Sequence, residues 1–444
     1  MMRLQPGGRP IRQRGVASLI IVAALFFIMA MVAAYANRNL IFEQRTSVNQ
    51  YRSTQAFEAA EAGLEWAVAL LNSGRIDEAC QPSADVSDTT FRQRYLVVDG
   101  VTGLITAADA DSSGSGTVWP SCVYDGTNWS CSCPSEGSPD LEVPDGSGPF
   151  PAFRLRFTRA STTQPGIVKV EVNACTTLND DCLDFPSTSQ GGEGRASIST
   201  LLALRTGLPA LPQAALTVRE SLDVSPAAMG VFNAEPATNG VSILAGGTVE
   251  RDGLRLGSVA GTPGELSVTD NDSGLQRMAL VDPDTMSPSD FMFGSTFSAR
   301  PAMYQEQPGL KVVDACDDPC GTDTLRASLA AHPGRILWVN GDVDFDSAAD
   351  VGAPDDPVLL VATGSISFSG GGHVYGLLYS RAATWTISGA GNLTGAAIAE
   401  GAMAGNATTT IVYDLAVLKR LQFATGSFVK VPGGWADFQR PPAP

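Results

Sequence analysis

From Val16 to Ala36 the chain carries no charged side chain. At 1.5 Å of rise per residue a helix over this run spans roughly 31 Å, about one hydrocarbon core. Arg3, Arg9, Arg12 and Arg14 stand before it, and the first acidic residue is Glu43. That flank predicts a single-pass membrane segment with the N-terminus cytoplasmic and the bulk of the chain on the far side. A cleaved secretory signal would have a shorter apolar core and a small-residue exit. The sequence after Ala36, NRNLIFEQR, offers no such exit. Beyond it, Leu40, Val48, Tyr51, Phe57, Ala60, Leu64, Ala67, Val68 and Leu71 recur at three- and four-residue steps, interrupted only by Gly63. The pattern predicts one continuous helix from Val16 to about Asn72, membrane-soluble in its first half and packed on a globular domain in its second. An anchor helix followed by a separate soluble helix fits the same residues.

The period then changes to two. FRLRFTR (153–159) sets Phe153, Leu155 and Phe157 against Arg154, Arg156 and Arg159, and GIVKVEVN (166–173) alternates Val168, Val170 and Val172 with Lys169 and Glu171. With RASISTLLALRTG (195–207) these runs predict a sheet with one buried face and a solvated arginine stripe on the other. The turn-rich stretch 76–150 has no clear period and predicts loops pinned by disulfides. After the Pro-containing linker TGLPALPQ (206–213), apolar runs begin at Val358, Val374, Leu393 and Ile411, each of the first three leading through a turn to a Gly/Asn-rich corner. Steps of this size suit the rungs of a β-solenoid, with Leu360, Ile366, Leu378, Ile387 and Ile398 inside. A β-sandwich with Gly-rich hairpins is the alternative. The expected class is α+β: a long N-terminal helix, an antiparallel sheet, then a β-rich domain, solenoid-like at least over 336–420.

Composition narrows the function. The 444 residues carry a net charge of −17, which argues against a cationic face for nucleic acid. All eight cysteines lie beyond the apolar run, as expected for an oxidising compartment. Cys175 and Cys182 bracket a short loop, Cys316 and Cys320 a tight turn, and both pairs are candidates for local disulfides. The pairing of Cys80, Cys122, Cys131 and Cys133 stays open. No metal site or cofactor is expected, because the C-x-C and C-x-x-x-C spacings lack the zinc pattern and His332 and His373 are the only histidines. DADSSG (109–114) begins like a calcium loop, but Pro120 stands where the bidentate Glu belongs, and TDNDSG (269–274) misplaces its glycine. No G-x-S-x-G, P-loop or H-E-x-x-H is present. Asp342, Asp344 and Asp346 form a row that reads as a solvent-facing strand rather than as sugar-cleaving carboxylates. The expectation is a non-enzymatic protein.

The stretch RQRGVASLIIVAALFFIMAMVAAYANRNLIFEQR, with the block AFEAAEAGL (56–64), resembles the N-terminus of PilX-type minor pilins of type IV pilus systems. The resemblance covers about residues 10–70. It implies that a prepilin peptidase removes a leader, residues 1–15, by cutting after Gly15, so that Val16 becomes the N-terminus, a position that such systems methylate. The helix would then span 16–75 with its transmembrane part at 16–36, a pilin-like head would follow at 76–208, and the β-rich domain at 214–444. The fifth mature position, where major pilins resemble one another in carrying Glu, holds Ile20. A subunit without that carboxylate suits the filament tip, because a lone carboxylate in the bilayer is costly unless an earlier subunit pairs it. The implied partners are other minor pilins, the major pilin, the peptidase and the inner-membrane assembly machinery. The implied role is priming of assembly, ending in the extracellular pilus. A tip adhesin and a K-type pseudopilin of type II secretion are the alternatives.

Overall fold

The computed structural model of the chain describes residues 15–146, 148–188, 193–226, 228–280, 287–313 and 316–437. The expected leader lies outside the described residues except for Gly15. The fold is α+β. One helix, α1 (Gly15–Leu71), runs unbroken for 57 residues, about 85 Å. With no proline, and no glycine after Gly15 except Gly63, nothing in the backbone interrupts the i to i−4 ladder.

Only the end of α1 is packed. Ala56, Ala59, Ala60, Leu64, Ala67 and Leu71 are buried, whereas Leu40, Val48 and Tyr51, which belong to the same apolar stripe, are exposed. The expectation that the whole second half of the helix lies on a domain is therefore corrected: contact begins near Gln55. The buried stripe sits on an antiparallel sheet formed by β1 (Ser121–Tyr124), β2 (Trp129–Ser132), β3 (Ala152–Arg159), β4 (Ile167–Cys175) and β5 (Arg195–Thr206). Phe153, Leu155, Phe157, Val168, Val170 and Val172 form the face beneath it, all buried. Burying a side chain of this size contributes roughly 1.5–3 kcal/mol, so this seam dominates the stability of the head.

The opposite face is not the solvated arginine stripe that alternation suggests. Arg154 is 5% exposed. Its Nη2 lies 2.7 Å from Asp180, its other terminal nitrogen pairs with Asp184, and Arg156 pairs with Glu171 at 2.7 Å beneath the Phe185 ring. The segment closed by the Cys175–Cys182 disulfide folds over the sheet with Asp180 in it and Asp184 just beyond it, while Glu171 stands on β4 beside Arg156. Alternation tells which residues share a face and nothing about what covers it.

The rest of the chain forms a parallel stack. In chain order its main strands are β6 (Leu216–Val218), β7 (Gly230–Phe232), β8 (Ile243–Ala245), β9 (Arg255–Gly257), β10 (Leu310–Val312), β11 (Ile336–Val339), β12 (Val358–Ala362), β13 (His373–Ser380), β14 (Thr384–Gly389), β15 (Asn392–Ala399), β16 (Ala402–Ala407) and β17 (Thr410–Tyr413). The spatial order β10-β11-β12-β13-β15-β17-β7-β9 is parallel at every step. Antiparallel hairpins would not give that ladder. Val358 faces Gly376, His373 faces Asn392 and Asn392 faces Thr410, offsets of 18 and 19 residues. Leu360, Ile366, Leu378, Ile387 and Ile398 are all buried.

The chain enters this stack in the middle. The first half of β15 pairs with β17 and its second half with β6, so two pieces of chain that are distant in sequence complete one level. From β6 the ladder continues to β8, which pairs next with Val268–Thr269, while β7 joins β17 to β9. The segment 273–305 then carries the chain back to β10, from which the stack climbs to β17 again. After β17 a helix (Leu415–Ala424) leads to the last strand, β18 (Gly426–Lys430), which pairs antiparallel with β5 of the head. The strand at the end of the expected unit 214–444 thus lies in the head sheet.

Candidate assembly helix and interdomain junction

Two features present themselves as functional: the uncovered length of α1 and the way its other end is fixed. Gly15 and Val16 form the start of the helix, and Ile20 one turn later is 63% exposed. From Ser18 onward the side chains described are exposed on every side until the head begins. No acidic residue occurs in the first turn, and the helix is long and apolar enough to cross a membrane. If 16–36 fills the hydrocarbon, residues 37–54 add about 27 Å of helix between membrane and head. That stretch exposes Leu40, Ile41, Phe42 and Val48.

The C-terminal end of α1 is held by the β-rich domain. Asn72 Nδ2 donates to the Phe428 carbonyl at 2.9 Å, and the Phe428 N–H donates to Asn72 Oδ1 at 2.8 Å. β18 is an edge strand, and this side chain satisfies the outward backbone groups of Phe428. Arg335 donates to the Asn72 carbonyl, Arg75 Nε to the Ala330 carbonyl at 2.7 Å, and Arg92 to the Ala424 carbonyl. Each guanidinium therefore caps the C-terminus of a helix belonging to the other domain: α1, Thr322–Ala331 and Leu415–Ala424 respectively. Orphan carbonyls and the negative helix end favour a cation at such positions. Burial, reinforced by the charge of Arg335, pulls Arg92 down to about 10, so it stays protonated at neutral pH. Burial and the charges of Arg335 and Lys311 hold His332 below its usual range, and it is neutral at pH 7. Replacing Asn72 by Ala is expected to destabilise the junction by about 2 kcal/mol, since two partly buried backbone groups lose partners. Faster proteolytic cleavage near β18 at an unchanged head fold would report it.

The other residues singled out in the sequence do not gather into a site. Cys175–Cys182 lies over the head sheet and Cys316–Cys320 at a corner of the stack, both bridged and both remote in sequence from Gly15, Val16 and Ile20. Cys80–Cys133 and Cys122–Cys131 pin the loops of the head. The aspartates are taken up by backbone and neighbouring chain. Asp342 accepts from Ser365 N, Asp344 from Ser369 N and Asp346 from Thr322 N, each tying one corner to another. In the calcium-like run Asp111 accepts from the N–H groups of Ser113 and Ser115, and Asp272 caps a short helix at Leu275 N. These hydrogen bonds hold the Asp111 and Asp346 carboxyls below the usual carboxylate range. Among the described residues no group of His, Cys, Asp and Glu is arranged to hold a metal. Asn72, Arg75, Arg92 and Arg335 escape sequence reading altogether, because a cap supplied from another domain leaves no local pattern.

Residues 14–65 match the family model described as PilX N-terminal. No curated protein matches the chain. Among solved structures the chain is similar to the competence-associated pilin ComZ from Thermus thermophilus, at 12% identity and a TM-score of 0.20, over 87% of this chain and 97% of that one. The family match takes in the uncovered apolar stretch of α1 and its first packed turns, and it identifies residues 14–65 as a PilX N-terminal region and the chain as pilin-like there.

Proposed function

We propose that this chain is a non-enzymatic minor pilin that primes type IV pilus assembly and occupies the pilus tip. The observation that carries the reading is Ile20 at the fifth position after the Gly15–Val16 junction. A subunit without a carboxylate there has no use for an earlier subunit's terminal amine, and so suits the first place in a growing filament. The inserted β-rich domain supports the same place, because a head of that bulk is accommodated most easily where nothing packs above it. In this reading a prepilin peptidase cuts after Gly15, the exposed helix joins those of other minor pilins and the major pilin in the inner membrane, and the assembly machinery extrudes the complex. We read the parallel stack as solenoid-like over 336–420 and as the displayed part.

Topology supplies the test. Gly426 faces Thr206 in the β5–β18 ladder, so a two-residue Asn-Gly turn can replace residues 207–425 and keep the head sheet whole. Truncation at 214 would strip β18 from the head. Deleting the whole gene is expected to abolish surface pili, and the excised variant to restore them. Normal piliation in the deletion strain would overturn the priming role. Restored pili without attachment would add the adhesin role to the displayed domain, whereas lost secretion with intact pili would indicate the pseudopilin alternative.

A further inference from the structure

Three ionisable side chains meet where β13 and β15 end, and the functional reading above uses none of them. Arg381 lies 5.2 Å from the Phe293 ring centroid and 5.8 Å from that of Trp338. Its Nε donates to Glu400 Oε1 at 2.8 Å and its Nη2 to Asp290 Oδ1 at 2.7 Å. Asp290 belongs to the first turn of the helix Pro288–Phe297, which packs over the stack from the returning segment. The Asp290 side chain is 40% exposed and that of Glu400 is 1% exposed. The second oxygen of Glu400 and the hydroxyl of Tyr379 are both buried and face each other. Thr296 faces Tyr379 from the helix. From the β6 side, Arg219 reaches the Glu400 carbonyl, but its charge is balanced by Glu220 at 2.6 Å.

One guanidinium therefore faces two carboxylates, and of the two only Asp290 is exposed to water. A proton on the buried Glu400 would remove the surplus negative charge, and the Tyr379 hydroxyl beside it can accept from the protonated acid as it can donate to the ionised one. We propose that Glu400 and Arg381 form a proton-operated latch on the helix Pro288–Phe297, closed when Glu400 is protonated and loosened when it is not. With Glu400 neutral, Arg381 belongs to Asp290 alone and pins the first turn of the helix. With Glu400 ionised, Arg381 is shared and a buried charge is left over. The same helix contributes Met292, Ser295 and Thr296 to an apolar cleft of about 170 Å³ against Leu211 and Ile398, so the latch sets how firmly that cleft is covered.

The direction of the pH effect follows from burial, which raises the Glu400 carboxyl to about 7 despite the opposing charge of Arg381. A folded-state value above the unfolded one means the native state holds the proton more tightly. The associated stability is complete near the unfolded value and is lost as pH rises through 7.

Hydrogen exchange of the full-length protein in detergent micelles tests this, with peptides covering 288–297 compared at pH 6.0 and 8.5 after correction for intrinsic rates. The wild type is expected to open at least tenfold more at pH 8.5, as a shift of one pK unit is a factor of ten. E400Q is expected to be equally protected at both values. D290N removes the carboxylate that Arg381 holds on the helix, and is expected to leave peptides covering 288–297 as open at pH 6.0 as at pH 8.5. D290N also serves if E400Q fails to fold. A wild type without pH dependence, an E400Q variant with the wild-type dependence, or a D290N variant that keeps the wild-type dependence would each overturn the latch.

Discussion

Replacing Gly376 by alanine is expected to unfold the parallel stack while the helix-bearing head stays folded. Gly376 has φ +148°, and a Cβ there would lie 1.8 Å from the Val358 carbonyl oxygen of the neighbouring strand. The contact is backbone to backbone, so no rotamer change relieves it. Gly376 faces Gly395 in the ladder, and Gly395 repeats the geometry with φ +140° and a Cβ position 1.9 Å from the Gly376 carbonyl oxygen. The two glycines let β12, β13 and β15 bend together without losing register. A side chain at either place must part the strands. Adding strained backbone to overpacking puts the cost at roughly 4–5 kcal/mol, a large fraction of a domain's stability. The signature is loss of the β-rich thermal transition in calorimetry with the head transition retained.

Gly63→Leu is expected to lift α1 from its sheet. A Cβ at Gly63 would stand 2.7 Å from the Phe153 ring and 3.0 Å from Val172. Phe153 cannot withdraw, because Trp66 at 5.5 Å and Trp129 at 5.0 Å hold its ring from both sides. Leucine is the better helix former by about 1 kcal/mol, so helix propensity acts against the expected effect. Overpacking by a whole side chain outweighs it, and a net loss of about 3 kcal/mol is expected in the head. For a unit of this size that lowers Tm by roughly 10 °C. A protease that cuts the helix between Gln55 and Leu71 only when it is released provides an independent readout. Unchanged melting and protection would show that the helix does not depend on this close approach.

Some of this was legible in the sequence and some could not be. The extent of α1 follows from a charge-free run and the near absence of helix breakers. The point at which it becomes covered does not, because Leu40 and Leu64 have the same pattern while only Leu64 meets a sheet. The apolar runs that begin at Val358, Val374, Leu393 and Ile411 become β12, β13, β15 and β17, which pair at offsets of 18 and 19 residues. Entry of the chain into the middle of the stack was invisible, since it rests on Leu216 pairing with Ala397 across most of the domain. The same holds for Arg154, placed correctly on the outer face of β3 yet buried by a loop that closes through Cys175–Cys182. Of the assembly residues, Gly15, Val16 and Ile20 are readable because their meaning is local. The junction formed by Asn72, Arg75, Arg92 and Arg335 is not, because each of these side chains acts on backbone from another part of the chain.

Everything proposed about assembly depends on how the N-terminus is made. Purification of the protein from the membranes of piliated cells, followed by mass spectrometry of its N-terminal peptide, tests that directly. The account predicts a chain that begins at Val16 and retains the whole apolar helix. A chain that still begins at Met1, or one cut beyond Ala36, would contradict it.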